Sequence, residues 1–306
     1  MKKRIRQTTT LALALAGTLF AGALRAETLR YAGSDFLAGK TEAELAAEVR
    51  KNAPGTELRG ELIGSMTALD ELRAGKIDFA LLLLKNPAEI PEIKSGKWRA
   101  RTVAYHVSYI VAPQSNPVEE LSLFQLRGIF ADFAEKPLAS WSEVPGAGAF
   151  SAKIDRVVST QNDNFALATF QSLVFPRTRF NAALRKTKTD EDALRAVSNS
   201  GGAIALVSAP PTGRPDLKTL AVSPADAAGK SATAYRPIPS NIYNRDYPLS
   251  IQFFVVYPAE NAEKVAPVLE TAFSDAFAES LEKSSLMPVP KNIRKMFKKN
   301  VDGNEK

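Results

Sequence analysis

The chain has 306 residues, 45% of them hydrophobic and 24% charged, which is the composition of a globular protein long enough for one large domain or two α/β lobes. It has no cysteine, which excludes disulfides, thiolate metal sites, a cysteine nucleophile and a lipid-anchored N-terminal cysteine. Its single histidine, His106, excludes zinc sites built from several histidines and makes any Ser-His-Asp hydrolase depend on one ring.

Residues 1–26 predict a secretory signal peptide. Four basic residues among the first six precede an apolar run over residues 11–24, and the small residue Ala26 lies at its end. The run is shorter than the ~20 residues that a membrane span needs, so cleavage is favoured over a retained anchor. We expect cleavage after Ala26, with Ala23 as the alternative. The chain is then expected to be free in the periplasm, because it has no cysteine for a lipid anchor.

The net charge of +7 belongs mainly to that N-terminal segment. Five of the 40 basic residues and none of the 33 acidic residues lie in residues 1–26, which leaves 35 against 33, or +2, for the rest. Binding to nucleic acid therefore has no support from charge. The remaining basic excess clusters at the C-terminus, in Lys291, Arg294, Lys295, Lys298 and Lys299. This cluster predicts a solvated tail, with a docking or lipid-surface patch as the alternative.

Strands and helices alternate in the first third of the chain. The predicted elements are a strand over 28–32, a helix from a Thr41–Glu44 capping box to Asn52, a strand over 57–63, a helix over 66–74 and a strand over 77–84. The last strand is almost continuously apolar, which is typical of a strand buried on both faces. This order predicts an α/β fold with a mainly parallel sheet flanked by helices.

The rest of the chain predicts a second unit of the same kind. Strands are expected over 107–112, 154–159, 202–207 and 252–257, helices over 121–130, 164–174, 190–198 and 260–283, and a loop-like stretch over 208–245. The pattern indicates two α/β lobes. We predict one discontinuous lobe, 27–108 with 215–306, and a second lobe over 109–214.

Four short segments, in this order and spacing, carry a resemblance to a known family. They are Ala32-Gly33-Ser34-Asp35-Phe36, the stretch from Asn116-Pro117-Val118 through Gln125-Leu126-Arg127-Gly128-Ile129-Phe130 to Trp141, Gly202-Ala203-Ile204-Ala205, and Tyr247-Pro248-Leu249-Ser250 with Pro288-Val289-Pro290. Through them the chain resembles the periplasmic phosphate-binding proteins of ABC transporters, which are bilobal solute-binding proteins. The resemblance covers almost all of the chain after residue 26.

The resemblance implies a two-lobed type II periplasmic-binding-protein architecture and equilibrium capture of a small solute between the lobes. It implies a small oxyanion such as phosphate as ligand, held by backbone N–H groups and hydroxyls at helix N-termini. It also implies delivery to a transporter permease in the inner membrane, a monomer, and neither catalysis nor a cofactor or metal.

Three loops are expected to carry the ligand. By the resemblance, the first holds Ser34, Asp35 and Phe36, and the second holds Gly64 and Ser65, where the family has a ligand-binding serine. The third holds Gln161, Asn162 and Asn164, with Arg156 just upstream as a further ligand candidate or a solvent-facing side chain. Ser65 is the strongest single candidate.

The sequence departs from the family in these loops. Asp35 would repel an anion, and the family's proton-accepting aspartate is replaced within Leu81–Leu84, where no polar side chain is present. The Gly-Ser-Gly-Thr turn of the family is absent from the third loop, although glutamine and asparagine still donate hydrogen bonds. These departures leave three alternatives to phosphate: another anion as the ligand, a neutral polar solute as the ligand, or the loss of small-molecule binding.

Other polar residues have simpler interpretations. His106 is expected to be a partly buried strand residue rather than a ligand contact. Trp98, with Arg99 and Arg101, is expected to anchor a loop rather than to form a surface on which a flat ligand stacks. The carboxylates Asp190, Glu191 and Asp192 suit the start of a helix.

Three classes of function remain. The first is a solute-binding protein that closes by hinge motion, the second is a binding-fold adaptor or sensor in the envelope with a degenerate cleft, and the third is an exported enzyme, which no motif supports.

Overall fold

The computed structural model describes residues 27–37, 40–161 and 165–302. The predicted signal peptide and the predicted ligands Asn162 and Asn164 lie outside these residues.

Two β-sheets organise the described chain. The first part forms β1 (Glu27–Gly33), α1 (Lys40–Asn52), β2 (Thr56–Leu62), α2 (Ser65–Arg73), β3 (Phe79–Leu84), α3 (Pro91–Lys94) and β4 (Trp98–Val107). The middle part forms β5 (Tyr109–Pro113), β6 (Glu120–Ser122), α4 (Leu123–Phe130), β7 (Asp155–Ser159), α5 (Phe165–Val174), β8 (Arg185–Thr187), α6 (Asp190–Ser198), β9 (Ala203–Val207), β10 (Leu217–Thr219), β11 (Ala221–Ser223) and α7 (Pro239–Tyr243). The last part forms β12 (Ser250–Pro258), α8 (Ala262–Ala272), α9 (Asp275–Lys283), β13 (Leu286–Pro288) and α10 (Lys291–Asp302).

Each lobe has one of these sheets at its centre. The first sheet has the strand order β13-β4-β12-β3-β1-β2, the second has the order β10-β5-β9-β7-β8, and β11 and β6 form a small parallel ribbon. Both sheets are mixed rather than mainly parallel as predicted. The strands joined through helices, β2-β1-β3 and β9-β7-β8, are parallel, whereas β4, β5, β10, β12 and β13 pair antiparallel. The antiparallel strands include β4, β5 and β12, which flank the crossings between the lobes and need no helical crossover.

β3 is buried on both faces, as its apolar run predicted. Leu81 and Leu83 belong to the large core that runs through both lobes, whereas Ala80 and Leu82 belong to a smaller core with Trp98. The smaller core includes the apolar face of α2, so this helix is fixed against the sheet by side chains that alternate along β3.

The chain crosses from the first sheet to the second at Ser108, between β4 and β5. The returning chain lies beside it: the Ser108 N–H donates to the Leu249 carbonyl at 2.9 Å, and the buried Tyr247 hydroxyl donates to the Ser108 carbonyl at 2.8 Å. The two crossings therefore form one hydrogen-bonded hinge.

The return occurs later than the predicted boundary at residue 215. β10 pairs with β5 of the second sheet, and β11 pairs with β6, so the chain stays with the second lobe through Ser223. These strands have three residues each and lie within the predicted loop-like stretch over 208–245, and they are too short to show a periodic pattern.

The predicted helix over 260–283 is two helices. The Ser274 hydroxyl accepts a hydrogen bond from the Phe277 N–H at 3.0 Å and caps α9, which breaks the apolar periodicity at this point. Elsewhere α1 begins at Lys40, so Thr41 lies in its first turn instead of at the cap.

The basic C-terminal segment folds as α10 instead of a solvated tail. Phe297 stacks on Phe273 with ring centroids 4.4 Å apart, and the Arg101 guanidinium lies 5.2 Å from the centre of the Phe297 ring. An apolar face of α10 is therefore attached to the first lobe. Over residues 27–37, 40–161 and 165–302, no helix is both long and apolar enough to cross a membrane.

Candidate functional site

The first two predicted loops meet at one edge of the first sheet. β1 and β2 are parallel and in register, with Gly33 opposite Leu62, so the residues after both strands emerge side by side. The Gly33 carbonyl accepts hydrogen bonds from the N–H groups of Ile63 and Gly64 at 2.9 and 3.0 Å. Ser34 and Gly64 are thus held together by backbone geometry.

Ser34 is buried and anchors the first loop. Its N–H donates to the Leu81 carbonyl at 2.8 Å, and its hydroxyl accepts from the Phe36 N–H at 3.4 Å. Asp35 and Phe36 turn outward and are exposed, with 45% of Phe36 accessible to solvent. Ser34 therefore shapes the loop, while the two residues after it face the surroundings.

α2 begins at this edge without a side-chain cap. Gly64 occupies the cap position with φ of 93°, which favours glycine, and no side chain caps the helix. The N–H groups of Ser65, Met66 and Thr67 have no acceptor among the described residues. Three adjacent donors and the positive end of the helix dipole therefore face the edge, a combination that attracts anions.

The Ser65 hydroxyl is already paired. It donates to the Leu83 carbonyl at 3.3 Å and accepts from the Leu83 N–H at 3.2 Å, which ties α2 to β3. The side chain of Ser65 thus positions the helix start, and the backbone N–H groups are the donors that remain for a ligand.

The described part of the third loop is bound to α6. The Gln161 N–H donates to the Ser159 hydroxyl at 3.2 Å, and the Gln161 side-chain carbonyl accepts from the Asp190 N–H at 3.0 Å. Gln161 therefore acts with Thr189, whose hydroxyl accepts from the Asp192 N–H, in satisfying the start of α6.

Asp190 is a buried carboxylate that the sequence placed only at a helix start. One of its oxygens accepts from the N–H groups of Ser208 and Ala209 at 3.0 and 2.9 Å. Burial raises the pKa of this carboxyl, and hydrogen bonds from Ser159 and Ser208 partly offset the rise. Asp190 thus joins α6 to the end of β9.

The structure does not bring Arg156 together with the other predicted ligands. Arg156 is 8% exposed, and its guanidinium donates to the backbone carbonyls of Ile129, Ile154 and Leu138. Neither predicted role applies, because the charged group is buried and donates to carbonyls of the last turn of α4, of the segment that follows it and of the residue before β7.

An aromatic contact joins the lobes beside the helix start. Phe165, the first residue of α5, lies with its ring centroid 5.4 Å from Phe36 and 4.2 Å from His106. Sequence reasoning missed Phe165, because a phenylalanine at the start of an amphipathic helix resembles ordinary core. Its position directly after the third predicted loop is the available signal.

His106 is fully buried in β4 and contacts Phe165. Burial lowers the pKa of the ring to about 4, and a hydrogen bond with the backbone of Ser285 offsets only part of this shift. The ring is therefore neutral at physiological pH. In the described chain no three His, Cys, Asp or Glu side chains come together as a metal site would require.

Comparison with known proteins identifies the superfamily and the fold. A sequence profile for a PBP superfamily domain matches residues 20–278. No curated protein sequence matches the chain.

Solved structures show the same fold. One described as a possible phosphate binding protein from Planctomyces limnophilus has a TM-score of 0.72 and 20% identity, covering 90% of this chain and 98% of that one. PstS from Borrelia burgdorferi has a TM-score of 0.64 and 13% identity, covering 86% and 98% of the two chains. An ABC-type phosphate transport receptor from Vibrio cholerae has a TM-score of 0.58 and 19% identity, covering 85% and 99%. At these identities the likeness concerns the two-lobed fold. Since the profile covers most of the chain, the protein belongs to the PBP superfamily.

Proposed function

We propose that this protein is an exported solute-binding receptor that captures a small oxyanion or other small polar solute between its lobes and delivers it to an ABC transporter. The observation that carries the proposal is the uncapped start of α2, whose N–H groups at Ser65, Met66 and Thr67 face the edge shared with Ser34. The superfamily fold and its phosphate-binding neighbours support this assignment. The proposal includes that the protein is a periplasmic monomer and performs no catalysis.

The end of β3 affects which anion the site accepts. Leu82 and Leu83 are buried and apolar at the place where the phosphate-binding proteins that the sequence resembles have an aspartate that accepts a proton from phosphate. Because no carboxylate is present at this position, a fully deprotonated anion meets no negative charge that would repel it there. We therefore infer a preference that includes fully ionised oxyanions such as sulfate, in addition to phosphate.

A thermal-shift screen of the purified chain tests the proposal. Phosphate, sulfate, molybdate, phosphonates and small neutral metabolites are the probes. A ligand that binds only the native state adds about 2.7 kcal/mol of stability at a hundredfold excess over its Kd. A shift with an anion supports the receptor, and a shift with a neutral solute keeps the receptor but changes the ligand class. An absence of any shift contradicts the receptor.

Two substitutions at Ser65 separate the hydroxyl from the backbone donor. Both Ser65→Ala and Ser65→Pro remove the hydroxyl bonds to Leu83, which costs each variant about 1 kcal/mol of stability. Only Ser65→Pro removes the free N–H, and proline is favoured at the first helical position. We expect Ser65→Pro to bind the anion found in the screen about tenfold more weakly than Ser65→Ala, as measured by calorimetry. Equal affinities would remove this N–H from the site.

The second candidate is an adaptor whose cleft is filled. Three exposed large apolar side chains, Phe36, Ile63 and Met66, lie at the same edge as the α2 start, and Phe36 already contacts Phe165 of the other lobe. Apolar and aromatic side chains grouped on a surface are typical of protein contacts. If the protein is such an adaptor, the thermal-shift screen gives no shift with any probe. The double variant Phe36→Ser with Met66→Ser is then expected to be at least as stable as the wild type when the protein is isolated.

A further inference from the structure

We propose a second binding site, distinct from the interlobe edge, that takes a small aromatic carboxylate. It is a cavity of ≈ 420 Å³ in the first lobe between β4, α7 and the start of α10. Arg101, Thr102, Tyr105, Tyr243, Asn292 and Phe297 are among its lining residues. Its volume is within the range of pockets that hold small organic ligands.

The polar lining of the cavity has spare hydrogen-bonding capacity. Tyr105 is 7% exposed, yet its hydroxyl has no hydrogen-bond partner in the part of the chain that the structure describes. The side chains of Arg101, Thr102 and Asn292 likewise have no hydrogen-bond partner there, whereas Tyr243 donates to the Pro288 carbonyl at 3.3 Å. The Tyr105 hydroxyl and the Arg101 guanidinium are therefore donors that a ligand in the cavity can engage without breaking a hydrogen bond of the described residues.

The charge of the lining selects an anion. Arg101 is the cation among the lining residues, none of which is acidic, and its guanidinium has no carboxylate partner among the described residues. The guanidinium lies over the Phe297 ring and has no hydrogen-bond acceptor among the described residues, so its N–H groups are free for a planar carboxylate.

The apolar wall selects a flat hydrocarbon body. Phe297 is fixed by stacking on Phe273, and Val289 and Ile293 extend the wall. Tyr105 and Tyr243 meet edge to face across the cavity, with ring centroids 5.5 Å apart. A carboxylate attached to a single aromatic ring places its charge at Arg101 and its ring against these side chains, in the offset and edge-on geometries that aromatic groups prefer.

The position of the cavity connects it to the hinge. Tyr105 lies three residues before the crossing at Ser108, and Tyr243 lies shortly before Tyr247, whose hydroxyl holds that crossing. A ligand in the cavity therefore contacts both chain segments that lead into the hinge.

Benzoate, benzyl alcohol and benzylamine are the probes that test this site, since they share a ring and differ in charge. Each is titrated into the ¹⁵N-labelled chain and followed by backbone amide shifts. We expect benzoate to move signals in 100–105 and 289–297, benzyl alcohol to bind at least tenfold more weakly, and benzylamine to leave these signals unchanged. Similar affinities for all three probes would overturn the proposal.

Matched variants test whether Arg101 is the cation that binds the carboxylate of benzoate. We expect Arg101→Gln to weaken benzoate at least tenfold and Tyr105→Phe to weaken it several-fold. Arg99→Gln is the control, because Arg99 lies on the same strand, is exposed and does not line the cavity. The variants must keep the wild-type spectrum outside the cavity. Unchanged affinity in Arg101→Gln, shifts confined to 34–36 and 63–67, or no shifts up to the solubility limit of benzoate would each overturn the second site.

Discussion

Replacing Arg156 with methionine is expected to lower the free energy of unfolding by about 3 kcal/mol, because three buried backbone carbonyls lose their donors. The guanidinium donates to the carbonyls of Ile129, Ile154 and Leu138 and so joins β7 to the end of α4 and to the segment that follows it. Each carbonyl left without a partner costs about 1–3 kcal/mol. Burial also lowers the pKa of Arg156, which means that burying its charge costs free energy. Methionine has no charge to bury, so the variant avoids this cost and its net loss of stability is smaller.

Urea unfolding measures this effect, and Arg185→Met is the matched control. Arg185 lies on β8 of the same sheet, is exposed and pairs with Asp155 at 3.0 Å, so its loss should cost at most about 1 kcal/mol. A stable Arg156→Met protein that no longer binds its solute would return Arg156 to the ligand residues. A destabilised protein with unchanged affinity confirms the structural role.

The two-lobed architecture could be predicted because its signals are local. The apolar run at β3 and the predicted alternation of strands and helices are visible in short windows, and both sheets contain the expected parallel units. The sequence does not reveal the first part of β4, because Arg99 and Arg101 alternate with smaller side chains, a pattern that indicates an anchored loop around Trp98. β10 and β11 were missed because three residues cannot show a period.

The candidate site was predictable where strand register decides it. Ser34 and Gly64 meet because they follow parallel strands in register, which the order of elements already implies. The distant partners of Arg156 and Gln161 are different, since Ile129, Leu138 and Asp190 lie 18 to 29 residues away in sequence and their contacts depend on how loops pack. No local pattern distinguishes a buried arginine that binds carbonyls from one that binds an anion.

Acidification is expected to destabilise the protein through His106. Burial lowers the pKa of this ring from 6.5 to about 4, so between these values the unfolded chain binds a proton that the folded chain does not. The linked stability is fully present above pH 6.5 and is lost as the pH falls towards 4. At about 1.4 kcal/mol per pH unit, the loss reaches about 2 kcal/mol at pH 5 and about 3 kcal/mol at pH 4.

Urea unfolding of the wild type and of His106→Leu between pH 7.5 and about 4.5 isolates this contribution. Leucine preserves much of the buried volume and does not titrate, and carboxylates contribute equally to both proteins. His106 is the one histidine of the chain, so no other imidazole contributes in this window. We expect the stability of the wild type relative to His106→Leu to fall by these amounts as the pH falls, whereas a constant difference would show that the pKa of the ring is the same in the folded and unfolded chains. Because the ring lies 4.2 Å from Phe165 of the other lobe, charging it requires water at this contact, and acid should therefore weaken the contact between the lobes before it unfolds them.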